Sequence, residues 1–132
     1  MAELTIIIAD DHPLFRGALR QAVGGLEGNN SFIEAGDFDD ARRCAEEQPD
    51  ADLMLLDLAM PGVSGFSGLM ALRAEFSSLP IIIVSATDDP ATMRRAIELG
   101  ASGFISKSSG IDDIRTAIRT VLEGDVWIPA SC

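Results

Sequence analysis

A disulfide framework, a long apolar run and a signal segment are all missing from this sequence, and each absence excludes a class of protein. The 132 residues contain two cysteines, Cys44 and Cys132, too few for a small secreted domain held by disulfides. The longest apolar runs are strand-sized, far short of the about 20 residues that cross a membrane. The start of the chain lacks the basic and apolar segments of a secretory signal. We therefore expect a cytoplasmic protein without a membrane partner.

Positive charge is also scarce, which excludes most nucleic-acid-binding modules. The chain has 10 Lys and Arg against 21 Asp and Glu, a formal net charge of −11. A field of that sign repels a phosphate backbone, so we expect no direct nucleic acid binding by this chain. Neither of the common glycine-rich phosphate loops occurs, which disfavours nucleotide binding. The single histidine, His12, cannot form a ligand set alone, and we expect it to shape a loop.

Short apolar runs alternate with stretches of helical period along the chain, and this alternation predicts five strand–helix units. The predicted strands cover residues 4–9, 31–35, 53–56, 81–84 and 103–106. Asp37 and Asp89 are predicted helix N-caps, and Gly100 and Gly124 are predicted helix ends. We therefore predict an α/β fold, a single doubly wound five-stranded parallel sheet of flavodoxin-like (βα)5 type with strand order 2-1-3-4-5.

Three aspartates follow the strands at which this strand order reverses. Asp10 and Asp11 come after the first strand, and Asp57 comes after the third. The carboxyl ends of such strands form the ligand crevice of doubly wound sheets, so these carboxylates are expected to converge. Two like charges about 4 Å apart repel by about 4 kcal/mol at an effective dielectric constant of about 20. The cluster therefore needs either a bound cation or a proton on one carboxylate to reduce this repulsion. Mg²⁺ is a suitable cation because it prefers oxygen ligands. The alternative reading is that the aspartates only cap helices.

Two more polar residues are predicted at the same edge. Lys107 is the only lysine in the chain and follows the fifth strand. Its ammonium could pair with a carboxylate at rest and with a phosphoryl oxygen after modification. Ser85 ends the fourth strand, and its hydroxyl can donate to an anion. The competing interpretations are a solvated loop lysine and a serine that caps a helix or turn.

The whole chain resembles the receiver domain of bacterial two-component response regulators, the CheY-like family. The matching features are Asp10-Asp11, the segment DLAMPGVSG at 57–65, Ser85-Ala86, and Lys107 after GFIS. Their separations also match, with 28 residues from Asp57 to Ser85 and 22 from Ser85 to Lys107. Three segments resemble the NarL/FixJ subfamily, whose receivers precede a LuxR-type helix-turn-helix domain: DDHP at 10–13, GASG at 100–103 and GDVWIP at 124–129. The resemblance implies a receiver domain at 1–124 and, at 125–132, the start of a linker to an output domain.

The resemblance also implies roles for the acidic residues. Asp57 would be the phosphoacceptor. Asp11, Asp57 and the backbone carbonyl of Ala59 would bind Mg²⁺ directly, and Asp10 would support the ion through water.

Four further residues receive expectations from the same resemblance. Ser85 and Lys107 would each contact the phosphoryl group, and Phe104 matches the aromatic switch position that turns inward on activation. Phe104 could instead be a simple core aromatic. Ser108 departs from the family, since many receivers have a cis-proline after the lysine. We expect a trans bond here, because a cis bond before serine costs about 2.5–4 kcal/mol.

The expected function is a phosphorylation-controlled signalling switch. A sensor histidine kinase would donate the phosphoryl group, and the domain would catalyse only its own phosphorylation and dephosphorylation. The activated form would dimerise and control transcription through an output domain, which alone would bind DNA. One rival is a Mg²⁺-dependent phosphatase with an aspartate nucleophile, but such enzymes carry D-x-D-x-T after the first strand, whereas these aspartates are adjacent. Other rivals are a stand-alone receiver that acts by protein interaction and a pseudo-receiver that is not phosphorylated.

Overall fold

The structure, a computed structural model, describes residues 4–24, 30–62, 65–87 and 89–129 of the chain. Strands and helices alternate throughout this part, as the sequence predicts. In chain order the elements are β1 (Leu4–Ala9), α1 (Pro13–Gly24), β2 (Asn30–Ala35), α2 (Phe38–Glu47), β3 (Leu53–Asp57), α3 (Ser67–Glu75), β4 (Ile81–Ser85), α4 (Pro90–Glu98), β5 (Gly103–Ser106) and α5 (Ile111–Leu122).

The five strands form one sheet in the order β2-β1-β3-β4-β5, and every neighbouring pair is parallel. The predicted α/β fold and strand order are therefore confirmed. The order reverses between β1 and β3, so the carboxyl ends of these two strands flank the crevice where such folds bind ligands. None of the helices in the described part of the chain has the length and apolar character needed to cross a membrane.

The sheet has an apolar core on each face, because successive strand residues point to opposite sides. Ile7 and Ala9 of β1 belong to the core beneath α2, α3 and α4. Ile6 and Ile8 belong to the core beneath α1 and α5. All four side chains are fully buried. The continuous apolar runs of the strands are thus explained by burial on both faces, which is typical of parallel sheets.

Local capping residues set several helix boundaries where the sequence predicts them. Asp37 caps α2 by accepting a hydrogen bond from the Asp40 amide at 2.8 Å. Asp89 caps α4 in the same way, with the Thr92 amide at 3.3 Å. Gly100 and Gly124 follow α4 and α5 with φ of 104° and 95°, a conformation in which glycine is favoured.

The segment after α5 returns to the sheet. Trp127 forms a parallel bridge with Gly103, its amide donates to the Ser102 carbonyl at 3.0 Å, and its carbonyl accepts from the Phe104 amide at 3.2 Å. Its indole is partly buried against the α1/α5 core. The proposed boundary between a domain at 1–124 and a linker at 125–132 stays a prediction, and residues 130–132 lie outside the described part.

Candidate functional site

Three aspartates meet at the carboxyl ends of β1 and β3, as the sequence predicts. Asp10 is 1% exposed and Asp57 is 2% exposed, while the Asp11 side chain is 34% exposed. One carboxylate oxygen from each, together with a ring nitrogen of His12, lies within 4.8 Å of the others. Two of the three carboxylates are therefore shielded from the water that would weaken their mutual repulsion.

Asp10 is fixed through its main chain as well as its side chain. Its amide donates to the Ala35 carbonyl at the end of β2 at 3.0 Å. Its Oδ1 accepts from the His12 amide at 2.7 Å, and its carbonyl accepts from Arg16 Nη1 at 2.8 Å. These contacts hold the start of the β1–α1 connection, from which Asp11 also projects.

Asp57 is the last residue of β3, and the turn that follows holds its carboxylate. Oδ1 accepts from the Ala59 amide at 3.0 Å. The intervening Leu58 amide donates to the Val84 carbonyl of β4 at 2.9 Å. The turn brings Ala59, whose carbonyl is a predicted metal ligand, next to the carboxylate. Of the 57–65 segment, Val63 and Ser64 lie outside the described residues.

Lys107 reaches this cluster from β5, two strands away from β3. Its amide donates to the Ser85 carbonyl at 2.8 Å, which continues the pairing of β4 with β5. Its Nζ lies 3.1 Å from Asp57 Oδ2 and 3.2 Å from Asp10 Oδ2. The side chain is 17% exposed, so this ion pair is poorly screened by solvent. The ammonium is thus a cation held between the two buried carboxylates.

His12 and Phe15 also surround this ammonium, and neither was among the predicted site residues. His12 Nδ1 lies 2.7 Å from Lys107 Nζ and 3.6 Å from Asp57 Oδ2. The Phe15 ring centroid lies 5.2 Å from the same Nζ, a cation–π distance. The sequence offered one signal for them, their position among the few residues that directly follow Asp10-Asp11. The expected loop role of His12 accounts for its amide contact but not for its ring.

In the described part of the chain, Ser85 and Phe104 form no hydrogen bond with the three carboxylates. Ser85 is 6% exposed, and its Oγ accepts from the Thr87 amide at 3.2 Å. Phe104 is fully buried in the core beneath α2, α3 and α4. The bond before Ser108 is trans as expected, since the described residues contain no cis peptide bond. The signalling roles of Ser85 and Phe104 stay predictions.

The donor set suits a small, hard divalent cation. Carboxylate and carbonyl oxygens are the ligands that Mg²⁺ prefers, and the ion commonly keeps several waters. Asp10 Oδ2 is a buried oxygen that accepts no hydrogen bond from the described residues, although the Lys107 ammonium lies 3.2 Å away as an ion-pair partner. A second cation at the cluster would satisfy such an oxygen. The residues therefore fit Mg²⁺.

The cluster opens to solvent through an apolar groove of about 370 Å³. Pro13, Leu14, Ala59 and Ala86 line it beside Asp57, and Leu14 is 92% exposed. A second cavity of about 310 Å³ lies beside Ala51 and Leu79, which precede the amino ends of β3 and β4. That cavity contains none of the predicted site residues.

Thiol chemistry has no support in the described part of the chain. Cys44 is the free cysteine found there. It is partly buried against the α2/α3/α4 core. Burial raises the pKa of its thiol, and the nearby Asp40 carboxylate raises it further. The thiol is therefore kept protonated and is a poor nucleophile.

Comparison with known proteins gives an independent assignment. The family model described as the response regulator receiver domain matches residues 6–119. The glycerol metabolism activator of Pseudomonas putida is 43% identical over 124 residues, which cover 94% of this chain and 56% of that protein. The nitrate/nitrite response regulator protein NarP of Escherichia coli is 37% identical over 119 residues, which cover 90% of this chain and 55% of that protein.

A solved structure supports the same family assignment. The crystal structure of a two-component response regulator of the LuxR family from Aurantimonas sp. superposes with a TM-score of 0.89 at 28% identity. The match covers 98% of this chain and 92% of that one. The chain spans about half the length of the curated relatives it matches.

Proposed function

Because this chain belongs to the response regulator receiver domain family, we propose that it is a phosphorylation-controlled switch whose phosphoacceptor is Asp57. The observation that carries the proposal is the position of Lys107 Nζ, 3.1 Å from the carboxylate of the 2%-exposed Asp57. A buried carboxylate beside a fixed cation and an open groove can take up an anionic group whose charge is already partly compensated.

The proposed donor is the phosphohistidine of a sensor histidine kinase in the cytoplasm. A carboxylate oxygen of Asp57 forms a bond to phosphorus while the bond from phosphorus to the imidazole nitrogen breaks, and the electron pair leaves with the imidazole. The product is an aspartyl phosphate. The step changes no oxidation state, so no oxidant or reductant is needed. The domain itself is regulatory, and we propose that its only catalysis is its own phosphorylation and dephosphorylation.

Mg²⁺ is the proposed cofactor. Asp11, Asp57 and the Ala59 carbonyl would hold it directly, and Asp10 through water. When bound, it would neutralise the charge that develops on the transferring phosphoryl oxygens. The chain's own contribution is to keep Asp57 in a fixed orientation through the Ala59 amide, and to supply the Lys107 ammonium as a second positive charge.

The response would be a shift of Lys107 and Ser85 toward the phosphoryl group. The charge-assisted hydrogen bonds to the added oxygens would favour a second arrangement of α4, β5 and α5, with Phe104 as the aromatic switch. We propose that this surface then forms a homodimer. Some relatives are named as transcriptional regulators, and a similar solved structure is named as a LuxR-family response regulator, so the proposed output is transcriptional. Because this chain is strongly acidic, DNA would be contacted through an output domain and not by the receiver.

Intact-mass spectrometry after incubation with acetyl phosphate and Mg²⁺ tests the assignment. The wild-type chain should gain one phosphoryl group, and the gain should disappear with a chelator and in Asp57→Asn. Asp113→Asn is the matched control, because Asp113 is an exposed aspartate in the first turn of α5 and should leave labelling unchanged. A labelled Asp57→Asn protein would refute Asp57 as the phosphoacceptor.

The same preparation separates the switch from the rival phosphatase. A switch should keep its label long enough to be measured and should not turn over p-nitrophenyl phosphate. Steady hydrolysis of that ester, abolished in Asp57→Asn, would identify an enzyme instead. A wild-type chain that is never labelled would identify a pseudo-receiver.

A further inference from the structure

Arg16 connects α1 to the main chain of the acidic site. Its Nη1 donates to the carbonyl of Asp10 at 2.8 Å, and its side chain is 25% exposed. We propose that Arg16 is a positioning residue for the divalent cation, a role that rests on the proposed function of the site. It would act by orienting Asp10 and Asp11, and it would not touch the cation or the phosphoryl group itself.

The guanidinium is anchored on its other side by β2. Arg16 Nε lies 3.1 Å from Glu34 Oε1, an ion pair without the geometry of a hydrogen bond. Glu34 precedes Ala35, whose carbonyl accepts the Asp10 amide at 3.0 Å. A planar guanidinium can address a carboxylate with one edge and a carbonyl with another, which a lysine ammonium on a flexible stem cannot reproduce. Arg16 is therefore held by β2 while it restrains the carboxyl end of the neighbouring strand β1.

The carbonyl that Arg16 holds belongs to the peptide group between Asp10 and Asp11. This group is planar, so a hydrogen bond to its oxygen restrains the rotation of the whole peptide plane. The directions in which the two neighbouring side chains leave the main chain depend on that plane. Asp10 has separate restraints on its amide and its carboxylate. The described contacts restrain Asp11 less, since its carboxylate contacts the exposed ring of His12.

The charge of Arg16 stabilises the acidic cluster while no metal is bound, although the same charge repels a bound cation, so any support for Mg²⁺ binding comes from the main-chain contact. Asp10, Asp11 and Asp57 place three like charges within a few ångströms, and a cation beside the main chain of Asp10 offsets part of that repulsion. Lys107 also offsets it at rest, but in the proposed switch Lys107 turns toward the phosphoryl group. Arg16 contacts a main-chain carbonyl and not the carboxylate that would be phosphorylated, so the same contact can support the aspartates in both states.

Arg20 supplies a matched control. Its Nη1 lies 3.3 Å from the other oxygen of Glu34, and its guanidinium lies 5.7 Å from the Phe32 ring centroid. Replacing either arginine by methionine removes one positive charge from α1 and one partner of Glu34. Only Arg16→Met also removes the hydrogen bond to the Asp10 carbonyl.

The test is the Mg²⁺ dissociation constant of the unphosphorylated protein, measured by calorimetric titration. We expect Arg16→Met to weaken Mg²⁺ binding about tenfold and Arg20→Met to change it less than twofold. Arg16→Lys should fall between wild type and Arg16→Met, because one ammonium can meet the carbonyl or Glu34 but not both. The amide resonances of Asp10 and Asp11 should shift in Arg16→Met and stay in place in Arg20→Met.

Equal losses of Mg²⁺ affinity in Arg16→Met and Arg20→Met would overturn the inference, since the contact with the Asp10 carbonyl, which only Arg16 makes, would then not be the cause. Loss of positive charge alone would strengthen Mg²⁺ binding in both variants. Thermal unfolding shows whether each variant folds. If Arg16→Met does not fold, the Mg²⁺ affinity of Arg16→Lys is compared with that of Arg20→Met instead. Failure of the inference leaves wild-type Mg²⁺ binding and labelling of Asp57 intact. A wild-type protein that binds no Mg²⁺ would instead overturn the proposed function together with the inference.

Discussion

The two ends of β5 are held by different kinds of contact, although the strand is only four residues long. At its amino end, main-chain hydrogen bonds join Trp127 to Ser102 and Phe104, and the indole packs on the α1/α5 core. A Cβ on Gly103 would lie 3.2 Å from the Trp127 carbonyl oxygen, so glycine permits this close approach. At its carboxyl end, Lys107 pairs with Asp10 and Asp57.

The difference separates stability from function within one strand. Apolar packing and paired main-chain groups at the amino end lower the free energy of folding without creating a reactive group. At the carboxyl end, burial of ionised groups costs desolvation energy that the ion pairs only partly offset. The carboxyl end of β5 thus contributes less to folding stability than the amino end, but its charged groups can bind another charged group. Changes at the amino end should alter stability, and changes at the carboxyl end should alter response.

Trp127→Ala should cause the largest effect on stability. It removes a partly buried indole from the α1/α5 core, and we expect a loss of about 3 kcal/mol, the low end for tryptophan truncation in a core. Urea unfolding followed by circular dichroism measures it. Val126→Ala is the control, because Val126 is 54% exposed and should change stability by less than about 0.5 kcal/mol. Equal losses in both variants, or loss of Asp57 labelling in a folded Trp127→Ala protein, would break the comparison.

Lys107→Ala should come next and should alter response rather than acceptance of the phosphoryl group. It removes a charge-assisted hydrogen bond worth about 2 kcal/mol, which corresponds to an about thirtyfold shift of a two-state population. The variant should still be labelled at Asp57, more slowly than wild type. With beryllofluoride as phosphoryl mimic, it should show reduced amide shifts around Phe104 and reduced self-association.

Lys107→Arg sharpens that experiment. The longer, planar guanidinium fits a point contact poorly, so it should restore the response only weakly although it restores the charge. If wild type and Lys107→Ala gave the same shifts and the same dimerisation, Lys107 would not transmit the signal.

Asp11→Ala should have the smallest effect on stability. It removes one of three crowded carboxylates, and the relief of repulsion should leave stability unchanged or raise it by about 1 kcal/mol without metal. Unfolding measured in a chelator tests the sign. The Mg²⁺ dissociation constant should rise, because a proposed direct ligand is lost. Asp125→Ala, which removes an exposed aspartate, should change neither quantity. An unfolded Asp11→Ala protein would show that the cluster is structural.

Local patterning was sufficient to predict most of the fold. The predicted strand 103–106 coincides with β5, and the predicted strands at 31–35, 53–56 and 81–84 are each one residue shorter than the observed ones. Apolar runs and capping residues determine strands and helix ends through residues only a few positions apart, so they can be recognised directly in the sequence. The convergence of Asp10, Asp11 and Asp57 could also be predicted, because parallel strands in a known order bring their carboxyl ends together.

Only the tertiary structure decided which side chains meet at that edge. Lys107 contacts both Asp10 and Asp57, and the His12 ring joins them. Arg16 holds a main-chain carbonyl, and Trp127 returns to β5. These contacts depend on rotamers and on the packing of elements that are distant in sequence, as for Lys107 and Asp57, which are 50 positions apart. Composition and spacing determined which residues reach the carboxyl edge of the sheet. The packing around that edge selected their partners, since dense packing leaves a buried side chain few arrangements.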